Sequence, residues 1–257
     1  MLLAIDIGNT NIVFGLFSGN DLVYQWRLVT DGRRTADEYG ILLHGLFAAQ
    51  GSSFTVVEAI VMLSVVPQVE AAFTDVCTKY FNKIPLIVNT STDTGIILCY
   101  DTPLTLGADR IVNAVAAYDK CRCSLIVIDL GTATTFDYVD ADGRYLGGAI
   151  APGIMTAGEA LFAKAAKLPR IDFAYPEHVI GRTTIESMQS GIVIGYVCLV
   201  EGIVSQMKTE RGENPRVIAT GGLAPLIMPH TQVIDEVDGQ LTLRGLKIIY
   251  DRCIIGR

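Results

Sequence analysis

The chain is 257 residues long, half of them from the set Ala, Val, Ile, Leu, Met, Phe, Trp, Tyr and Cys, with 18% charged residues and a mean hydropathy of +0.40. That excludes an intrinsically disordered chain, and a chain of this size buries roughly 70–75% of its unfolded surface, enough for one large domain or two of about 125 residues. The net charge is −7, with 7 Lys against 13 Arg and no basic run, which excludes a nucleic acid held by bulk charge and means that any phosphate must be gripped locally.

The N-terminus MLLAIDIGNTN has no basic segment and meets Asp6 almost at once, which argues against a signal peptide. LLAIDIG (2–8), NIVFGLF (11–17) and LVYQWRL (22–28) read as three strands joined by tight polar turns, an antiparallel meander. A helix is expected over 35–49, with Asp37 and Glu38 in its first turn. The longest uncharged stretch, residues 39–57, carries His44, Gln50, Ser52 and Ser53, so it is not expected to span a membrane. EAIVMLSVVP (58–67) reads as a buried strand stopped by Pro67, 68–82 as an amphipathic helix and PLIVN (85–89) as a further strand. Leu106, Ile111, Ala114, Val115 and Tyr118 recur at helical spacing and predict a helix over 106–119.

The opening pattern then repeats in SLIVIDLGTATTFDYVDADGRYLGGAI (124–150). Placing Asp129 on Asp6 aligns Ile128 with Ile5 and Gly131 with Gly8, a duplication at a spacing of 123 residues that implies two similar halves. The second half continues with a helix near 153–166, an extended loop over 169–181, a long helix from about 183 to 211, a strand at RVIATGG (216–222), and a short helix and strand pair to the end. Cys77, Cys99, Cys121, Cys123, Cys198 and Cys253 are scattered, and the nearest pair is a CxC with no His close by. They read as small hydrophobes in a reducing compartment, and the expected location is the cytoplasm.

Missing motifs narrow the chemistry. Gly-Lys occurs nowhere, which excludes a P-loop, and no two glycines stand two apart, which excludes the dinucleotide fingerprint. No Ser sits in G-x-S-x-G, and His44, His178 and His230 have no Ser or Cys partner. What is present is DIGNTNIVFG (6–15) and DLGTATTFDYV (129–139). A strand ending in Asp, a run of small residues and a returning strand make a hairpin whose turn amides point outward. Gly8 and Gly131 allow close approach of a ligand, and Asn9, Thr10 and Thr132 add donors. Two such hairpins facing each other would grip a polyphosphate without lysine, each Asp holding a cation or its water shell beside the phosphates. One Asp-x-Gly turn alone is a common hairpin cap; two, each after an unbroken apolar strand, favour the binding reading. Thr220, Gly221 and Gly222 follow the strand RVIA, where paired glycines either let a base and ribose lie on the backbone or simply make a turn. GGAIAPG (147–153) allows close packing between the halves or around a ligand, and the pattern leaves both open.

This arrangement is similar to the actin, hexokinase and Hsp70 superfamily. Within it the chain resembles the type III pantothenate kinases over essentially its whole length: at DIGNTNIVFG, SVVP (64–67), TGI (94–96), YDTPLTLGADR (100–110), DLGTATTFD (129–137), GGAIAPG, GRTT (181–184) and TGG (220–222). The pairing of YDTPLTLGADR with GRTT is the most particular. The resemblance implies an α/β fold of two similar ribonuclease H-like (actin-like ATPase) domains, each a mixed sheet flanked by helices, over residues 1–120 and 121–257. It implies ATP-dependent phosphorylation of pantothenate, the first step towards coenzyme A, with ATP, Mg²⁺ and a monovalent cation, K⁺ or NH₄⁺, as requirements.

The resemblance assigns roles by position. Asp109 matches the proton acceptor for the substrate hydroxyl, and Tyr100, Gly107, Ala108, Asp109, Arg110 and Thr184 match substrate contacts. Asp6, Ile7, Gly8, Asn9, Thr10, Asn11, Ile12 and Val13, with Thr132, Gly221 and Gly222, fall to ATP; Asp129 falls to the monovalent cation and Asp6 to the Mg²⁺ side. The residue types suit these roles. A carboxylate orients and deprotonates an alcohol as a loose phosphoryl transition state develops, and at a helix N-terminus the dipole is expected to keep Asp109 ionised. The Arg110 guanidinium suits the carboxylate of pantothenate. Thr184 has an alternative reading as a helix N-cap. The family pattern also implies a homodimer in which Thr184 serves the partner's site, and the apolar stretch 190–204 then reads as the dimer face or, alternatively, as a core helix. Two rivals are a catalytically silent sensor or regulator on the same fold, against which Asp6, Asp109 and Asp129 are intact, and a kinase of another small hydroxylated metabolite.

Overall fold

The computed structural model describes residues 1–255, and its packing divides them into two units. The first holds Met1–Ile96, Thr102–Ala116 and the segment from Leu241 on; the second holds Ile97–Asp101 and Ala117–Gln240.

In the first unit, β1 (Leu2–Ile7), β2 (Asn11–Ser18) and β3 (Asp21–Val29) form the expected antiparallel meander. After α1 (Ala36–Ala49), β4 (Ala59–Ser64) pairs parallel to β1; after α2 (Pro67–Phe81), β5 (Leu86–Ile87) completes the order β3-β2-β1-β4-β5. The strand sequences follow from this placement. β1 lies between two partners and is buried almost throughout, whereas β3 is an edge strand, mostly exposed to varying degrees. Thr35 caps α1 in a reciprocal box with Glu38. Pro67 does not merely stop a strand: it is the first residue of α2, where its missing N–H costs nothing. Leu3, Ile5, Phe14, Tyr39 and Phe73 form the heart of the core on one face of this sheet.

The second unit opens with β6 (Ile97–Leu98). The helix α3 (Ala108–Cys121) runs from the first unit into the second and leads to β7 (Leu125–Leu130), β8 (Ala133–Val139) and β9 (Arg144–Pro152), again an antiparallel meander. Then come α4 (Ile154–Lys164), α5 (Thr184–Gln189), a π-helical turn Ser190–Ile194 and α6 (Gly195–Arg211). β10 (Arg216–Thr220) pairs parallel to β7, and α7 (Ala224–Ile227) and β11 (Glu236–Val237) follow. The order is β11-β10-β7-β8-β9-β6. β7 thus occupies the place that β1 has in the first sheet and β10 that of β4, so the duplication read from two Asp-x-Gly turns is a duplication of topology. The long helix expected over 183–211 is the continuous helix Thr184–Arg211, long and apolar enough by composition to cross a membrane, with 39% of its apolar stretch buried in the chain.

Two expectations are corrected at the C-terminus. The expected short helix and strand are α7 and β11, but they do not complete the chain: a full helix, α8 (Leu241–Ile255), follows them. And a single cut at 120/121 does not follow the packing, because α8 returns to the first unit against β1 and β4. Leu243 of α8 lies over Gly15 of β2, and Thr242 Oγ1 donates to Asn113 Oδ1 of α3 at 2.8 Å. A Cβ at Gly245 would overlap the Val112 carbonyl, so the glycine that weakens the helical signal is what lets α8 lie on α3.

Candidate active site

The first Asp-x-Gly turn is a braced structure. The Gly8 N–H donates to the Asn11 carbonyl at 3.0 Å and closes the tip. Thr30, at the end of β3, donates its hydroxyl to the Gly8 carbonyl at 2.7 Å and its N–H to the Thr10 carbonyl at 3.0 Å. Asn9 and Thr10 are left exposed, with Asp6 half-buried one turn below. Within residues 6–13 the structure separates two classes. Ile7 and Ile12 are wholly buried core residues, able to meet a ligand only through their main chain; the polar side chains stand at the tip.

The second turn carries the same closure, Gly131 N–H to the Ala133 carbonyl at 3.1 Å, one residue shorter. Two motifs that the sequence left open converge on it. Gly153, at the N-cap of α4, donates to the Thr132 carbonyl at 3.0 Å, and a Cβ there would overlap the carbonyls of Gly131 and Thr132. Thr156 in the first turn of α4 donates to the same Thr132 carbonyl at 2.7 Å. Gly221 has φ +93°, and a Cβ on it would stand 2.5 Å from the Leu130 carbonyl oxygen and 2.7 Å from Asp129 Oδ1. Gly222 meets nothing within 4 Å. The Gly-Gly pair is therefore asymmetric: Gly221 is required by the backbone and by the approach of Asp129, and Gly222 is not.

Around Asp129 the structure places its carboxylate oxygen and the Leu130 main-chain carbonyl close against Gly221. Hard oxygen donors of this kind fit an alkali-type cation better than a transition metal. Among the described residues no group of three or more His, Cys, Asp or Glu gathers as a metal cage, so a cation at either hairpin would be held by one carboxylate with backbone and ligand oxygens.

The motif YDTPLTLGADR is divided by the fold. Tyr100 and Asp101 belong to the second unit; residues 102–110 belong to the first. Pro103–Thr105 make one turn of 3₁₀ helix, the buried Leu106 anchors it, and α3 begins at Ala108, which puts Asp109 in the first helical turn. Its Oδ1 accepts the Arg110 N–H at 2.9 Å. The helix N-terminus expected to favour an ionised Asp109 is opposed by burial. Burial pushes its carboxyl above the ordinary aspartate range, outweighing the Arg110 N–H and guanidinium that draw it down. Arg110 itself is buried, with 7% of its surface exposed.

GRTT is a helix start. Thr183, not Thr184, is the N-cap of α5, its hydroxyl accepting the Glu186 N–H at 3.2 Å while Glu186 accepts the N–H groups of Arg182 and Thr183. Gly181 is close to the Glu186–Ser187 backbone, where a Cβ would not fit. Thr184 is thereby left as an exposed first helical residue whose hydroxyl is not spent on the cap.

A family model for type III pantothenate kinases matches residues 2–206. The chain belongs to that family. It is 54% identical over 252 residues to the type III pantothenate kinase of Pelobacter propionicus, covering 98% of this chain and 99% of the relative. Among solved structures, a Campylobacter jejuni protein described as a Baf family transcriptional activator superposes with a TM-score of 0.62 at 18% identity, over 98% of this chain and 99% of that one. A Sinorhizobium meliloti protein described as a 2-dehydro-3-deoxygalactonokinase gives 0.60 at 13% identity, over 98% and 96%. At such identities the structural likeness speaks for the fold, that of the actin-like ATPases and sugar kinases.

For a type III pantothenate kinase, the sequence reading missed the residues that brace the two turns: Thr30, Gly153 and Thr156. Each acts through a main-chain carbonyl of a turn distant in sequence, and only Gly153 left a signal, as the last residue of the small-residue run 147–153.

Proposed function

We propose that this chain transfers the γ-phosphoryl group of ATP to the primary hydroxyl of pantothenate, giving 4′-phosphopantothenate and ADP, the reaction that opens coenzyme A synthesis. Membership of the family supports the substrates, and the observation that carries the chemistry is Asp109. It is a half-buried carboxylate in the first turn of α3, with its proton affinity raised by burial and its orientation fixed by the Arg110 N–H. A base with raised affinity is better matched to an alcohol than an ordinary aspartate. The substrate oxygen bonds to the γ-phosphorus, the bond to the ADP oxygen breaks, and the alcohol proton passes to Asp109. Arg110 meets the pantothenate carboxylate as a guanidinium fork, with Tyr100, Gly107, Ala108 and Thr184 as further contacts. Residues 6–13, Thr132, Gly221 and Gly222 hold ATP, the hairpin amides of Gly8 to Thr10 and of Gly131 to Ala133 taking the phosphates.

Asp129 is the carboxylate for K⁺ or NH₄⁺ and Asp6 the one on the Mg²⁺ side. When bound, the two cations supply positive charge that offsets the polyphosphate and the charge on the transferred group. The working form is a cytoplasmic homodimer, supported by the exposed face of Gly191, Gly195, Cys198 and Gly202 on the helix Thr184–Arg211, spaced at helical periodicity and small enough for a second helix to lie close. The deciding experiment is a coupled assay of the purified chain with ATP, Mg²⁺, K⁺ and pantothenate. Turnover that depends on pantothenate is the expected result; its absence with a folded protein would overturn the reading.

A further inference from the structure

In the second unit the carboxylate of Asp137 on β8 is 1% exposed, yet it lies in no turn and no ligand-facing tip. Tyr145 Oη donates to its Oδ1 at 2.6 Å and Thr135 Oγ1 donates to its Oδ2 at 3.2 Å. Tyr145 is itself wholly buried.

Their meeting depends on an irregularity. From Ala133–Pro152 to Tyr138–Gly147 the strands β8 and β9 pair in regular register, and continued regularly they would set Leu146 opposite Val139 and Tyr145 opposite Asp140. Residues directly opposite share a face, and alternate residues of a strand share a face. Tyr145 would then point away from Asp137. The register instead shifts, with Val139 opposite Tyr145 and Leu146 left over as a bulge. A one-residue slip turns a side chain to the other face, and here it brings Tyr145 onto the face of Asp137.

Tyr145 in turn locates Tyr100. The two rings meet edge to face, centroids 6.1 Å apart at 69°, within the range of a favourable aromatic pair. The backbone leading to Tyr100 is tied to the same residue: Leu98 pairs with Tyr145, and the Cys99 N–H donates to the Tyr145 carbonyl at 2.9 Å. The Tyr100 ring also lies 3.8 Å from where a Cβ at Gly147 of the same strand would stand, so the strand is bare where the ring rests. A phenylalanine at 145 facing an aliphatic residue at 137 would fill this core without burying a carboxylate, which is costly unless it is fully hydrogen-bonded. The polar set therefore fixes an orientation that apolar packing would leave free.

We propose that Asp137 and Tyr145 are positioning residues for pantothenate binding, clamping Tyr100 in the pose that meets the substrate. The proposal rests on Tyr100 being a substrate contact. Three variants test it: Tyr145→Phe, Asp137→Asn and Tyr100→Ala, with KM for pantothenate and for ATP, kcat and thermal midpoint measured for each. Tyr145→Phe is expected to raise the pantothenate KM about tenfold, the scale of a lost hydrogen bond to a charged group, and to leave the ATP KM within about twofold. Combined with Tyr100→Ala it should add nothing further. Loss of fold stability alone would move both KM values together or neither, and that result would overturn the proposal. An unchanged pantothenate KM in Tyr145→Phe, with a raised one in Tyr100→Ala, overturns the clamp and leaves the substrate contact standing. An unchanged KM in Tyr100→Ala removes the contact and the clamp with it. If Asp137→Asn does not fold, Tyr145→Phe, which loses one oxygen from a filled site, decides.

Discussion

The carboxylate of Asp109 occupies the space that a side chain at position 107 would fill: a Cβ built on Gly107 overlaps Asp109 Oδ1. Gly107 has no left-handed backbone to protect, so its glycine serves that carboxylate rather than the main chain. Gly107→Ala is expected to lower kcat about 100-fold by displacing the base, the scale on which small misplacements act, with a thermal midpoint close to that of the parent. Near-normal kcat in this variant would show that the position of Asp109 is not critical.

The raised proton affinity of Asp109 has two consequences of opposite kind. Its carboxylate must be ionised to accept a proton, so the acid limb of kcat/KM is expected to have its midpoint above the ordinary aspartate value of 3.8. For stability the sign runs the other way. Between 3.8 and the raised value the folded state binds the extra proton, so this group costs stability progressively as pH rises through that window and fully above it. Asp109→Asn is expected to abolish turnover while melting no lower than the parent at pH 7.5. Melting curves at pH 7.5 and pH 3.5 check the sign: any gain should shrink at the lower pH.

The two glycines after β10 are expected to differ sharply. Gly221→Ala meets a positive φ together with the Leu130 carbonyl and Asp129, and should cost about 2 kcal/mol or more, a fall of roughly 4–8 °C in thermal midpoint. Because the contact is to Asp129, the concentration of K⁺ needed for half-maximal activity should rise as well. Gly222→Ala faces open space and should melt like the parent. Equal effects at the two positions would contradict the asymmetry.

Adjacent threonines offer a second separation. Thr183→Ala removes the cap of α5 and should cost about 1 kcal/mol. Thr184→Ala should leave stability unchanged and raise the pantothenate KM. If instead Thr184→Ala shifts the melting curve and Thr183→Ala does not, the assignment of cap and substrate contact is reversed.

The dimer face is checked by Gly195→Leu, which places a branched side chain in the middle of the exposed small-residue face. Light scattering should report a dimer for the parent and a monomer for the variant. A variant that stays dimeric moves the interface elsewhere.

What the sequence made legible was local. The hairpins at Asp6 and Asp129 could be read because an unbroken apolar strand, an Asp-x-Gly turn and a return strand all lie within a dozen or so residues, and their repetition disclosed the paired topology. The helix α1 announced itself through Asp37 and Glu38 in its first turn, and the reciprocal cap between Thr35 and Glu38 shows why it starts there. What escaped depended on distant partners. Gly245 made LTLRGLKIIYDRCII a poor helical pattern, and the reason for that glycine is a carbonyl at Val112, more than a hundred residues earlier. The meeting of Tyr145 with Asp137 was not legible, since no composition rule marks a bulge at Leu146. The raised proton affinity of Asp109 was not legible for the same reason: its position in a helix can be read from the chain, whereas its burial belongs to the folded unit.

The return of α8 to β1 and β4 gives the chain an order of assembly. The side of the first sheet that faces α8 is not covered until residues 241–255 have been made, so the unit begun first waits on its last helix, while the unit begun second has its segments, through Gln240, available earlier. Until then a nascent chain exposes the α8-facing side of β1 and β4. The same dependence makes α8 a sensitive element: removing it would strip one side of the sheet that bears Asp6, more than two hundred residues away in sequence.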